Sequence, residues 1–270
     1  MKQLFILVLL FAPLVHAAIG TGGGNCSAVE ETSDNSLGCT VGTQNVEVGN
    51  IFICRFGNDN AGSGDAADQE VTEIADSGGN QYAFLAGYRN GQGSATTGAQ
   101  VEVWLSKITT QLTSGSSTLT VTFQNNLTDK TMECSEFTVA AGNTLVQSTA
   151  YVFETQDGAD AGSLAFSGLS SLERLYLRAT ATESNAAVSM TASAFFTLLP
   201  TDGCTNTTGG GEATDMGICT EYRIFTGTGT SSNPTLVDTT NDNVSVFLAL
   251  HEAASAPPPR RRVFAPSVSQ

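Results

Sequence analysis

Apolar residues recur at every second position in several stretches of the chain. Val101, Val103 and Leu105 share one side, with Glu102 and Ser106 on the other. Leu119, Val121 and Phe123 alternate with Thr118, Thr120 and Thr122, and Val244, Val246, Leu248 and Leu250 repeat the pattern. Period two is the signature of a strand with distinct faces. Strands are also expected over 46–56, 70–75, 81–88, 132–140, 145–153, 172–182, 188–199 and 217–225, about a dozen in all. Gly-, Asn- and Ser-rich turns separate them, such as 76–80, 89–91 and 113–116. No helical period recurs between strands, so parallel βαβ units are disfavoured. The expected fold is all-β, an antiparallel β-sandwich of jelly-roll or immunoglobulin-like type. No Pro-rich or charged linker interrupts the middle, so a single domain is expected over 18–252. The irregular stretches 57–69 and 200–217 are expected as loops at its ends, where binding surfaces usually lie.

Composition sharpens this picture. Of 270 residues, 40% are hydrophobic and 14% charged, enough to bury a core, and 28 are Gly, which excludes an all-α fold. The 11 Lys and Arg against 26 Asp and Glu give a net charge of −15, which repels phosphate backbones and excludes nucleic acid as a partner. Lys2, the apolar run 4–15 and the small-residue site Val15-His16-Ala17 read as a signal peptide over 1–17. That run falls short of the ~20 residues needed to cross a bilayer. Export to the extracellular side is therefore expected, with no membrane span after cleavage. The body, 18–252, holds 7 cations and 26 acids, a charge of −19. The remainder, 253–270, carries Pro257 to Pro259, then Arg260, Arg261, Arg262, Val263 and Phe264. It reads either as a solvated end or as an arm whose arginines and Phe264 dock on an acidic neighbouring subunit.

Cys26, Cys39, Cys54, Cys134, Cys204 and Cys219 are even in number behind an export signal, which argues for disulfides. The spacing contains no C-x-x-C pair that would favour zinc. Cys26 with Cys39, and Cys204 with Cys219, each bracket a stretch of low intrinsic order where a crosslink is most effective. Cys54 and Cys134 lie in strand-like runs and either bridge neighbouring strands or sit reduced in the core.

Candidate chemistry is sparse. His251 is the one histidine outside the leader, at the end of a strand, and it makes a poor start for a Ser-His-Asp site. Glu70 with Glu73, and Glu133 with Glu136, are three apart and point to opposite faces of a strand, so neither pair forms a glycosidase site. Asp59, Asp65 and Asp68, with Asn58 and Asn60, offer oxygens to calcium, as do the pair Asp157 with Asp160 and the run Asn241-Asp242-Asn243. None has the spacing of a calcium loop, and solvated turns are the plainer reading. Asn25, Asn126, Asn206 and Asn243 each begin an N-x-S/T sequon. Trp104, the one tryptophan, and Tyr88 are the candidate stacking surfaces for a sugar, with burial the competing reading for Trp104.

Four segments in order are V-T-E-I-A-D-S-G-G-N-Q-Y at 71–82, Y-R-N-G at 88–91, V-E-V-W-L-S-K at 101–107 and L-T-V-T-F at 119–123. Y-R-I-F-T-G-T-G follows at 222–229 and D-N-V-S-V at 242–246. Over 46–252 the chain resembles β-sandwich proteins found among the virion and tail structural genes of tailed bacteriophages. The resemblance implies a structural role and brings no catalytic residues. The expectation is a non-enzymatic structural or adhesion protein on a virion or cell surface, presenting end loops and self-associating or joining other surface proteins. The alternative is a secreted carbohydrate-binding or carbohydrate-active protein that uses Trp104 or Tyr88.

Overall fold

The computed structural model describes residues 19–59, 64–91, 98–157, 160–184, 187–207, 215–237 and 242–255. The expected signal peptide and the arginines of the arm lie outside these residues. The described chain is all-β, and every strand pairing in it is antiparallel. The first half holds β1 (Gly20–Glu30), β2 (Asp34–Thr40), β3 (Ile51–Asp59), β4 (Val71–Asp76), β5 (Tyr82–Arg89), β6 (Ala99–Lys107), β7 (Thr118–Leu127) and β8 (Lys130–Thr138). The second holds β9 (Asn143–Gln147), β10 (Val152–Gln156), β11 (Leu164–Phe166), β12 (Leu172–Ser184), β13 (Ser189–Thr191), β14 (Thr197–Asn206), β15 (Asp215–Gly227), β16 (Thr230–Ser232), β17 (Thr235–Val237) and β18 (Asp242–Ala254).

The two halves repeat one connectivity. In the first, a five-stranded sheet runs β1-β8-β3-β6-β5 and a three-stranded sheet runs β2-β7-β4. In the second, a large sheet runs β10-β18-β12-β15-β14, with β9 added on β18, and two ribbons pair β11 with β16 and β13 with β17. Thus β10, β18, β12, β15 and β14 occupy the places of β1, β8, β3, β6 and β5. The ribbons correspond to the pairs β2-β7 and β7-β4.

Each large sheet is covered on both faces. Ile51, Ile53, Val101 and Val103 of the first large sheet share a core with Leu175, Leu177, Val244, Val246 and Leu248 of the second. The opposite face of the first sheet packs Phe52, Phe56, Trp104 and Met132 against Leu37, Val71, Leu119, Val121 and Phe123 of the three-stranded sheet. Tyr176 and Phe247 on the outer face of the second large sheet pack under the ribbon residues Leu164 and Phe166. Each fully buried Ile, Leu or Phe contributes about 1.5–3 kcal/mol of transfer free energy.

This layering explains where the periodicity misleads. On β6 the polar alternates Glu102 and Ser106 lie on the face opposite Val101, Val103 and Leu105, yet both are fully buried because a second core covers that face. There are eighteen strands among the described residues, more than the dozen expected. The run 145–153 divides into β9 and β10, and 188–199 divides into β13 and β14 around a turn where Phe195 has a positive φ of 70°. The strands β1 and β2 carry few apolar residues and give no period-two signal. In β1 the register shifts between Thr21 and Asn25, where a Cβ at Gly22, Gly23 or Gly24 would overlap Glu136, Gln44 or Val46. The space left by these glycines admits the Glu136 carboxylate, which accepts the Gly24 N–H at 3.0 Å and the Glu47 N–H at 2.7 Å.

Three disulfides are present, with all six cysteines paired. Cys26 on β1 and Cys39 on β2 join the five-stranded sheet to the three-stranded sheet, so this bridge ties two layers together instead of closing an irregular loop. Cys54 and Cys134 are cross-strand neighbours on β3 and β8, with Cα atoms 4.0 Å apart. Cys204 and Cys219 are neighbours on β14 and β15. Register partners continue as a row across five strands: Cys26, Cys134, Cys54, Trp104 and Phe84.

Candidate functional site

Placed on this frame, the sequence candidates separate. Asp59 ends β3, whereas Asp65 accepts the Gly91 N–H at 3.0 Å and the Thr155 hydroxyl at 3.0 Å, and Asp68 forms an ion pair with Arg89. Among the described residues no group of three or more His, Cys, Asp or Glu side chains is arranged to hold a metal ion. Trp104 is 7% exposed; its indole N–H donates to Glu102 at 2.9 Å and its ring meets Phe84 edge-on. Its environment is that of a core residue with one edge near the surface. His251 Nδ1 lies 3.0 Å from the Ser148 hydroxyl, and Arg174 Nε donates to that same oxygen at 2.8 Å. Burial and the nearby Arg174 charge lower the His251 pKa.

The sequons also divide. Asn126 is exposed near the end of β7, and Asn25 is exposed beside Cys26. Asn206 uses its amide on both the N–H and C=O of Val188, and Asn243 is fully buried in β18. Asn126 is thus the better glycan acceptor, since its side chain is free of the neighbouring disulfide and stands in solvent.

Tyr88 does join a surface cluster. Its ring stacks on Phe153, with centroids 3.7 Å apart and planes at 16°, and Tyr151 lies beside them at 6.4 Å from Phe153. Phe153 is 47% exposed. The cluster forms where β5 and the segment before β10 meet, because Tyr151 donates to Gly87 O at 2.9 Å and Gln147 to Leu85 O at 2.6 Å. These side chains satisfy carbonyls on the edge of β5 and leave one aromatic face outward. The sequence reading missed Tyr151 and Phe153, although their spacing of two places them on one side of an extended segment.

A second aromatic display stands on the turn before β14. Phe195 is 83% exposed at its positive φ, and the Arg223 guanidinium lies 5.2 Å from its ring centre and 4.1 Å from that of Phe225. The cation braces the ring without covering it. A large apolar side chain held outward on a left-handed backbone is costly to keep.

Acids gather at the end of the central core where β3 and β12 end and β18 begins. Burial pushes Glu183 up to about 7; the Gly98 N–H opposes the shift, and the charges of Asp59, Asp242 and Asp129 add to it. Burial likewise raises Asp129 to about 6, with Asp215 and Glu31 adding and Lys130 opposing. Within the first half, burial raises Glu102 to about 7, partly offset by its hydrogen bonds from Trp104 and from the backbone of Val71 and Glu70. All three groups hold their protons more tightly when folded. Stability is therefore expected to fall as pH rises from their ordinary values, 4.5 for Glu and 3.8 for Asp, through about 7 and 6. The thermal midpoint should be several degrees higher at about pH 5.5 than at about pH 8, and Glu183→Gln should flatten the slope. A midpoint that rises toward pH 8 would contradict it.

No family model, no curated protein and no solved structure matches the chain.

Proposed function

We propose that this chain is a non-enzymatic structural or adhesion protein exposed on a virion or cell surface, built from two jelly-roll-like β-sandwiches set back to back. The carrying observation is the repeated connectivity, in which both halves place the same order of strands around side-chain-filled interiors. The order β1-β8-β3-β6 opposite β2-β7-β4 is that of a jelly roll whose fifth strand has moved to the larger sheet. Such an arrangement leaves rims and turns as the contact surface. The three disulfides are in keeping with an oxidising, extracellular setting.

In this reading the turn bearing Phe195 is a principal contact with another copy or with a neighbouring surface protein. Phe195→Ser is expected to weaken self-association about tenfold or more in sedimentation equilibrium, while leaving the thermal midpoint within about 2 °C. A strictly monomeric chain with no partner in particle-association assays would remove the proposal. The exposed Tyr88–Phe153 stack favours the carbohydrate-binding alternative. A glycan-panel signal that disappears with Phe153→Ala would move the assignment there, whereas background binding supports the structural role.

A further inference from the structure

Among the described residues the strand β4 pairs on one side only, with β7, and its other edge borders a cleft of about 300 Å³. The cleft runs along Thr72, Glu73, Ile74, Ala75 and Asp76 and is closed on its far side by Tyr82 and Trp104. It exists because β5, which would complete this sheet, pairs with β6 of the larger sheet instead. An unpaired edge beside an aromatic wall is a template for one more strand. We propose that residues 260–265 of this same chain, the Arg-rich segment of the arm, occupy this cleft as an added strand antiparallel to β4.

Three observations select this occupant. The first is where the described chain stops. Ser255 accepts a hydrogen bond from the Lys107 ammonium at 2.8 Å, and Lys107 ends β6 one position beyond Ser106, the register partner of Tyr82. Ser255 therefore lies at the same end of the five-stranded sheet as Asp76 of β4, on the sheet's other face, and an arm that rounds this end runs along β4 in the antiparallel sense. The second is length. Ser255 stands a lysine side chain's reach, about 6 Å, from β6 on the face away from the cleft, and β4 lies one sheet spacing of ~10 Å beyond β6. The five steps from Ser255 to Arg260, through Ala-Pro-Pro-Pro, span about 16 Å in an extended polyproline conformation. The six residues that follow, Arg260 to Ala265, contain no proline, match the six residues of β4, and end at Pro266.

The third is charge. None of the seven cations of the body is exposed: Arg55, Lys130, Arg174 and Arg178 are buried, and Arg89, Lys107 and Arg223 are half-buried. The outer surface is thus anionic, and the cleft carries the exposed Glu73 along with Asp76. Arg260, Arg261 and Arg262 meet that surface favourably. Alternation along a strand brings an apolar residue, Val263 or Phe264, toward Trp104 whichever side faces inward.

Hydrogen exchange on the full chain tests the assignment, with Val263→Pro as the variant because proline removes a ladder donor within the pairing segment. In the variant, the amides of β4 are expected to exchange about tenfold faster, with those of β12 unchanged. Acrylamide should quench the emission of Trp104 more strongly in the variant. Both differences should persist on about hundredfold dilution, as an intrachain contact requires. Equal β4 exchange in the two proteins would overturn the proposal. Protection of β4 that fades on dilution would also overturn it and place the arm of a second copy in the cleft. Neither outcome depends on the self-association expected of Phe195.

Discussion

Replacing Arg178 by Met is expected to destabilise the protein by about 3–5 kcal/mol, the cost typical of leaving a buried charge without its partner. Arg178 is fully buried on the outer face of β12, where it pairs with Glu154 and donates to Ser245 Oγ at 2.9 Å, Gly162 O at 2.8 Å and Ser232 O at 3.2 Å. Its field also reaches Glu221, a buried carboxylate that accepts from the Ser193 hydroxyl at 2.6 Å, the Ser193 N–H at 2.7 Å and the Ser232 hydroxyl. Methionine fills the volume of the stem and strands both carboxylates under the ribbons. Urea unfolding should show the loss as a lower midpoint. The double variant Arg178→Met, Glu154→Leu should recover part of it, because an apolar pair removes the orphaned charge. A single variant within about 1 kcal/mol of the parent would mean that the network relaxes or admits water.

The paired replacement Cys54→Ala, Cys134→Ala is expected to cost about 4.5 kcal/mol, the chain-entropy figure for closing 80 residues. The bridge separated by 15 residues, Cys204–Cys219, should cost about 3 kcal/mol by the same relation. Denaturant midpoints of the two double variants should therefore rank in that order. The opposite order would place the main effect in local packing beneath β13 and β17, where Cys204 and Cys219 meet Met190 and Leu236.

The sequence carries the fold where alternation is strong, and it is silent where two cores meet on one sheet. The apolar residues of β6, β7 and β18 were legible as strands. That β6 is covered twice was not, because burial of Glu102 depends on β4 crossing over it and donating the Val71 N–H at 3.0 Å. Two disulfide pairings followed from spacing, but the role of Cys26–Cys39 in joining two layers required strands that 20–40 does not announce. At the surface, Tyr88 was legible as an aromatic beside a turn. Its partner Phe153 lies 65 residues away and reaches it only through the packing of β10 beside β5. Phe195 carried no signal, since in the apolar run 188–199 nothing distinguishes it from Phe196, and only the positive-φ turn between β13 and β14 leaves it almost wholly in solvent while Phe196 is buried.

The pairing of β1 with β8 has a consequence for the order in which the polypeptide is synthesised. The strand Gly20–Glu30 leaves the ribosome ahead of the other described strands and waits until Lys130–Thr138 has followed before it gains its neighbour. A waiting strand rich in valine or isoleucine would associate with whatever it met. One that opens Gly-Thr-Gly-Gly-Gly-Asn and holds a single valine has little to offer a wrong partner, so the composition that hides β1 from a search for periodicity also protects the nascent chain.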